Sequence, residues 1–202
     1  MNRDLFPDEL PSWDGEGADP LERYWTPRHC VDALLEHAGH MIVGTVWEPC
    51  AGARHISSVL ADVENIDRVY ESDISPVGDR YPRLDFLMVD DHWQVLESVV
   101  DWIVTNPAFG IAADIVRAAL SVAHEGVAML LPANFWEGTI KDGRRELLTT
   151  YPPTHCIHLG RFNFIMPGGG NGPNKEHMWF IWQHEWSHRG LTEHIYHDRR
   201  TA

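Results

Sequence analysis

Asn106, Pro107, Ala108 and Phe109 follow directly on the apolar run Trp102-Ile103-Val104-Thr105, and these residue types in this order suit the capture of a planar group. Asn106 brings an amide acceptor and donor, Pro107 and Ala108 bring backbone carbonyls, and Phe109 brings a flat face for stacking. Pro107 cannot continue a sheet or donate a backbone hydrogen bond, so the chain must turn there. The unit is thereby placed at the carboxyl end of a buried strand, where α/β sheets bind their ligands.

Further polar groups stand at the ends of other predicted strands. Glu48-Pro49-Cys50-Ala51-Gly52 follows the first, and Gly52 lets backbone approach a ligand closely. Arg54 stands where a second small residue would tighten that turn, so either the loop is wider or Arg54 touches an anionic ligand group. Glu71 or Asp73 closes the second strand; Asp73, nearest the exit, is the choice for an acid that binds ribose hydroxyls. Asp85 beside Phe86 pairs an acceptor with an aromatic face, suited to an adenine amine and its ring.

The elements that must position these groups alternate along the chain. Thr26-Pro27 caps and begins a helix running toward Gly39. Strands are predicted over 41–47, 69–73, 84–89, 102–105 and 126–131. Ile56, Val59 and Leu60 mark one helix face, and a further helix covers about 111–122. This rhythm predicts an α/β fold, a mostly parallel sheet with helices on both faces. Residues 154–159 and 162–166 read as paired strands around Gly160, 167–173 as a mobile Gly/Pro loop, and 178–182 as a returning antiparallel strand.

The chain of 202 residues, 44% of them hydrophobic, can support one core. Residues 1–20 read as a loose leader, 21–185 as a single domain and 186–202 as a tail. Without an apolar run of about 18 residues or a signal-peptide pattern, the expectation is a protein of the cytoplasm with no membrane partner. The three cysteines predict reduced thiols. The 13 histidines show neither HExxH spacing nor a compact Cys/His cluster, so no metal is expected. A formal charge of −14, from 16 basic and 30 acidic residues, opposes indiscriminate polyanion binding. Lys141, Arg144, Arg145 and Arg161 are the local candidates for phosphate contacts, which would position a duplex without specifying its sequence.

In their order these motifs resemble the S-adenosylmethionine-dependent DNA adenine amino-methyltransferases, especially small phage and prophage members. Tyr24-Trp25-Thr26-Pro27 resembles the family's opening motif, Glu48 to Gly52 its cofactor loop and Glu71 to Asp73 its ribose acid region. Asp85-Phe86-Leu87 resembles its adenine-binding motif, and Asn106-Pro107-Ala108-Phe109 its catalytic Asn-Pro-Pro-aromatic unit. Arg54 and Ala108 depart from the usual glycine and proline.

The resemblance implies a Rossmann-like methyltransferase fold with an antiparallel final strand. It also implies S-adenosylmethionine held by Tyr24, Thr26, Glu48, Pro49, Gly52, Asp73, Asp85 and Phe86. Methyl transfer to the N6 amine of DNA adenine would then involve Asn106, Pro107 and Phe109. The host would be a bacterial or phage-infected cell, with a homodimer or a separate partner aiding recognition. RNA or protein-glutamine amino-methylation and a catalytically silent nucleotide-binding protein stay open as alternatives. A dehydrogenase is disfavoured, since the first loop lacks GxGxxG and the Asn-Pro-Ala-Phe unit offers no acid or base for hydride transfer.

Overall fold

The computed structural model describes residues 19, 21–88, 99–138, 143–167, 169–185 and 191–198. Along the chain run α1 (Arg28–Ala38), β1 (Gly44–Glu48), α2 (Ser57–Leu60), β2 (Ile66–Glu71), β3 (Trp102–Thr105) and α3 (Ala112–Val122). They are followed by β4 (Gly126–Pro132), α4 (Arg144–Thr150), β5 (His155–Ile165), β6 (Asn171–Gln183) and β7 (Glu193–Tyr196). The seven strands form one sheet in the order β2-β1-β3-β4-β6-β5-β7. β1 to β4 are parallel, β6 runs antiparallel between β4 and β5, and β7 lies parallel to β5. The mostly parallel sheet is as expected. Its antiparallel member is the sixth strand, and the last strand adds a parallel edge inside the stretch read as a tail.

The alternation of side chains along each strand builds two apolar layers. Val46, Trp102, Val104, Ala128, Leu130, Ile157, Trp179 and Ile181 face α1 and α2, packing with Leu34, Ile56 and Leu60. Their neighbours Trp47, Ile103, Val127, Met129, Leu131, Cys156, Phe180 and Trp182 face α3 and α4, packing with Ile115, Val116 and Leu147. Because β3 and β4 are buried on both faces, they read as unbroken apolar runs. Gly126 starts β4 where a Cβ would sit 2.6 Å from the Trp102 ring and 2.6 Å from the Trp182 carbonyl, so only glycine lets the tryptophan pack there.

Four local expectations are corrected. Residues 84–88 form no strand: Asp85 instead closes a turn, its carboxylate accepting the Leu87 N–H at 3.0 Å and its carbonyl the Met88 N–H at 3.1 Å. The segments 154–159 and 162–166 belong to one strand, β5, because Gly160 at φ +69° absorbs a register shift as a bulge and pairing with β6 continues past it. Asn171, Gly172 and Pro173 lie within β6 and not in a loop, held opposite the end of β5 where Asn171 pairs with Ile165. Thr26 does not cap α1: Pro27 holds the N-cap position without a side-chain hydrogen bond.

Candidate active site

The carboxyl ends of β1, β2 and β3 open onto one cleft, lined among others by Tyr24, Thr26, Glu48, Pro49, Gly52, Asp73, Asp85, Phe86 and Asn106. Residues separated by more than 80 positions therefore converge where the sequence expected a ligand. Its empty space, counted out to solvent, is about 890 Å³.

The floor of the cleft is the loop leaving β1. Gly52 takes φ +49°, and its N–H donates to Asp73 Oδ2 at 2.8 Å, while the Ser75 N–H donates to Asp73 Oδ1 at 2.7 Å. Asp73 thus ties the first loop to the second, and each oxygen retains a lone pair for a further donor. Burial raises its carboxyl pKa, opposed by those two hydrogen bonds and by the Arg23 charge. Glu48, the last residue of β1, is fully buried and accepts the Ser57 N–H at 2.7 Å. Desolvation pushes its pKa well above the carboxylate range, and the hydrogen bond from Ser57 only partly offsets this. Cys50 lines the same cleft, and burial raises its thiol pKa as well.

Arg54 meets a carboxylate of the chain itself. It adopts φ +68°, the left-handed conformation that glycine takes most readily, and its Nε donates to Glu71 Oε1 at 2.7 Å. It is not among the cleft-lining residues. Phe86 contributes to the cleft wall, yet its ring is also core, edge-on to Trp47 at 5.0 Å and 78°.

The segment before α1 straps over the strand ends. Trp25 exchanges two backbone hydrogen bonds with Ile165 of β5, at 2.9 and 3.0 Å. Its indole stacks on His55 at 5.4 Å and lies 3.6 Å from where a Cβ on Gly52 would be. Next to it, the Tyr24 carbonyl accepts a hydrogen bond from Asn106 Nδ2 at 2.8 Å. A carbonyl can only accept, so this contact fixes the amide orientation and directs Oδ1 away from Tyr24. Asn106 Oδ1 is buried and has no hydrogen-bond partner among the described residues. A buried acceptor left empty costs about 1–3 kcal/mol, which a bound donor would recover.

Ala108 holds φ −56° and ψ 128°, within the range that proline imposes, so the turn keeps its shape without the second proline. Pro107 is buried and outside the cleft lining. Phe109 faces a second cleft instead, shared with Pro132, Asn134, Phe135 and Arg144. Its ring neighbours Tyr24 at 6.1 Å, Phe164 at 6.1 Å and His177 at 5.4 Å. The four-residue motif is consequently the partition between two clefts, with Asn106 and Ala108 on one side and Phe109 on the other.

Of the basic candidates, Arg144 reaches the second cleft; its Nη1 donates to the Asn134 carbonyl at 3.3 Å and its guanidinium lies over Phe135. Arg145 is exposed on α4, and Arg161 on β5 faces Glu176 at 3.4 Å. Lys141 lies outside the described residues.

Sequence reasoning missed four contributors. Trp25 and His55 cover the Gly52 loop, and the Tyr81 hydroxyl donates to the Gly52 carbonyl while accepting the Val77 N–H at 3.2 Å. His177 is buried among Phe109, Phe162 and Phe164. Its Nδ1 donates to the Lys175 carbonyl at 3.0 Å, leaving Nε2 as a buried acceptor with no partner among the described residues, and burial lowers its pKa to about 4. Of these, only Trp25 had a sequence signal, since it lies inside the Tyr24-Trp25-Thr26-Pro27 motif.

No protein-family model and no curated protein matches the sequence. Solved structures do resemble it. A Pyrococcus horikoshii protein taken to be an RNA methyltransferase matches over 81% of this chain and 88% of its own, with TM-score 0.57 and 16% identity. The methyltransferase subunit of a type I restriction-modification system from Streptococcus thermophilus matches over 78% of this chain, with TM-score 0.56 and 12% identity. A predicted O-methyltransferase from Agrobacterium tumefaciens matches over 85% of both chains, with TM-score 0.52 and 12% identity. The chain has the Rossmann-like methyltransferase fold. It spans 44% of the length of the restriction-modification subunit. No described helix is long and apolar enough to cross a membrane.

Proposed function

We propose that the chain transfers a methyl group from S-adenosylmethionine to the exocyclic N6 amine of adenine in DNA. The observation that carries this reading is the buried, empty Asn106 Oδ1, locked by the Tyr24 carbonyl at the partition between two clefts. The donor set of the first cleft suits the cofactor: Asp73 and Asp85 offer acceptors to ribose hydroxyls and an adenine amine, and Gly52 leaves room for close approach. Glu48, Pro49, Thr26, Tyr24 and Phe86 complete that wall. When bound, the cofactor supplies an electrophilic methyl group with its own leaving group, so no protein nucleophile is required.

The chain's own residues then act on the target amine, whose lone pair is delocalised into the ring. Asn106 Oδ1 and the Pro107 carbonyl accept its two hydrogens, drawing the nitrogen toward a tetrahedral shape with its lone pair free. Phe109 offers the stacking face from the second cleft and holds the ring in line. In duplex DNA the adenine must first flip out, at a cost of a few kcal/mol, which stacking offsets by about 1–3 kcal/mol. Arg144, which lines that cleft, serves phosphate positioning, with Arg145, Lys141 and Arg161 as further candidates. Sequence selection falls to a second copy or a separate partner.

An RNA amine or a protein glutamine is the second reading, and the net charge of −14 favours the protein over either nucleic acid. Incubation with methyl-labelled S-adenosylmethionine and duplex DNA, single-stranded DNA, RNA or protein extract separates them. The expected product is N6-methyladenine in DNA. Label confined to RNA or protein overturns the DNA assignment, and cofactor binding without transfer to any of the four identifies a silent binding protein.

A further inference from the structure

We propose that Glu36, His37 and His197 form a zinc site that clips the C-terminal segment to the first helix. Glu36 and His37 lie in the last turn of α1, and His197 follows β7 directly, 160 positions after His37. No local spacing could announce such a set.

The donor atoms are spaced as metal ligands are. His37 Nε2 is 3.2 Å from His197 Nδ1, which in turn is 3.5 Å from Glu36 Oε2. All three ligand atoms fall within 4.8 Å of one another. Tetrahedral zinc with bonds of about 2.0–2.2 Å places neighbouring ligand atoms about 3.3 Å apart, close to the separations of 3.2 and 3.5 Å.

Without a cation one proton on His197 Nδ1 has to serve both His37 Nε2 and the Glu36 carboxylate; with the proton on His37 Nε2 instead, His197 Nδ1 is an acceptor facing a carboxylate. One cation at the centre satisfies three converging lone pairs at once. The setting favours positive charge as well, because the carboxylate adds to the negative end of the α1 dipole. His197 is held for the purpose: its side chain is 6% exposed and its backbone N–H donates to the His158 carbonyl at 3.1 Å.

Two imidazoles and one carboxylate select zinc or a similar transition ion over magnesium or calcium, which prefer all-oxygen shells. A water completes the tetrahedron. Among the described residues β7 pairs with β5 alone, so the clip fastens an edge strand otherwise held on one side.

Full-length protein without an affinity tag, stripped with a chelator and titrated with zinc sulfate against a competing dye, is expected to bind one equivalent. Cobalt substitution is expected to give the intense visible absorption of tetrahedral coordination. His197→Ala and His37→Ala are each expected to weaken zinc binding at least ~100-fold, beyond the effect of typical outer-shell changes. His194→Ala disrupts the neighbouring His158–His194 contact at 2.9 Å and is expected to leave affinity within about twofold, as a substitution outside the ligand shell should. Absence of tight binding, retention of it in both the His37 and His197 variants, or its loss on His194→Ala overturns the site. Should His197→Ala fail to fold, His37→Ala and Glu36→Gln decide alone.

Discussion

On the β1–β2 flank of the first cleft the acids are committed to backbone: Glu48 holds Ser57, and Asp73 holds both Gly52 and Ser75. On the β3 flank the amide of Asn106 is anchored through its nitrogen, while its oxygen meets no donor among the described residues. On the first flank each acid already has a backbone donor and fixes the shape of a loop, with spare lone pairs left over. The second keeps one acceptor unmet at a buried position, which folding tolerates only at a cost. A difference of this kind separates acceptors that shape the site as well as bind from one that only a ligand can satisfy.

The contrast breaks most sharply at Asn106. Asn106→Ala removes the empty acceptor and the anchoring donor, and transfer to DNA is expected to fall by about 10²–10³, the usual effect of deleting one preorganised polar group at a reacting centre. Cofactor affinity is expected to change far less, because the cofactor's acceptors lie on the other flank. Radiolabel transfer alongside calorimetric cofactor binding checks both. A parallel loss of cofactor binding would show that the two flanks do not divide the labour.

His177 sharpens the comparison from the far side of the partition, where a second empty acceptor is buried among aromatic rings. Its pKa is lowered by burial to about 4, so the folded state resists a proton that the unfolded chain accepts near pH 6.5. Stability from neutral His177 is thus complete above about pH 6.5 and is lost as pH falls toward 4, by up to about 3 kcal/mol. His177→Phe is expected to remove that acid-side slope. Urea midpoints between pH 7 and 4 provide the test, and an unchanged slope in the variant would place the loss elsewhere.

What the sequence revealed of this arrangement, and what it hid, follows from where the determining contacts lie. β3 and β4 were legible because burial on both faces leaves continuous apolar runs bounded by turn residues. Gly52, Asp73 and Asn106 were legible as strand-end polar groups, and they do meet at one cleft. β7 was not, since Glu193-His194-Ile195-Tyr196 is short, polar and set at an edge. Gly160 and the Asn171-Gly172-Pro173 start of β6 read as breaks because a bulge and a long antiparallel pairing override local preference. Tyr81, His55 and His177 act through contacts made only after the chain folds, so no local pattern marks them.

Arg54 tests the satisfied flank at its most unusual backbone position, with the smallest expected effect. A non-glycine residue in the left-handed region costs about 1 kcal/mol relative to glycine, so Arg54→Gly relieves strain. The same change gives up the partly exposed pair with Glu71, where the two side chains are 32% and 12% exposed, at about 0–1 kcal/mol. It also frees the unfolded chain by about 0.4–1 kcal/mol. These terms oppose each other, and Tm is expected to stay within about 3 °C of wild type. Arg54→Ala keeps the strain and loses the pair, and should fall below Arg54→Gly by thermal denaturation. If the glycine variant instead loses more than about 2 kcal/mol, well above an exposed pair, the Arg54–Glu71 contact is holding the loop itself, and the satisfied flank depends on a side chain as well as on its backbone-bound acids.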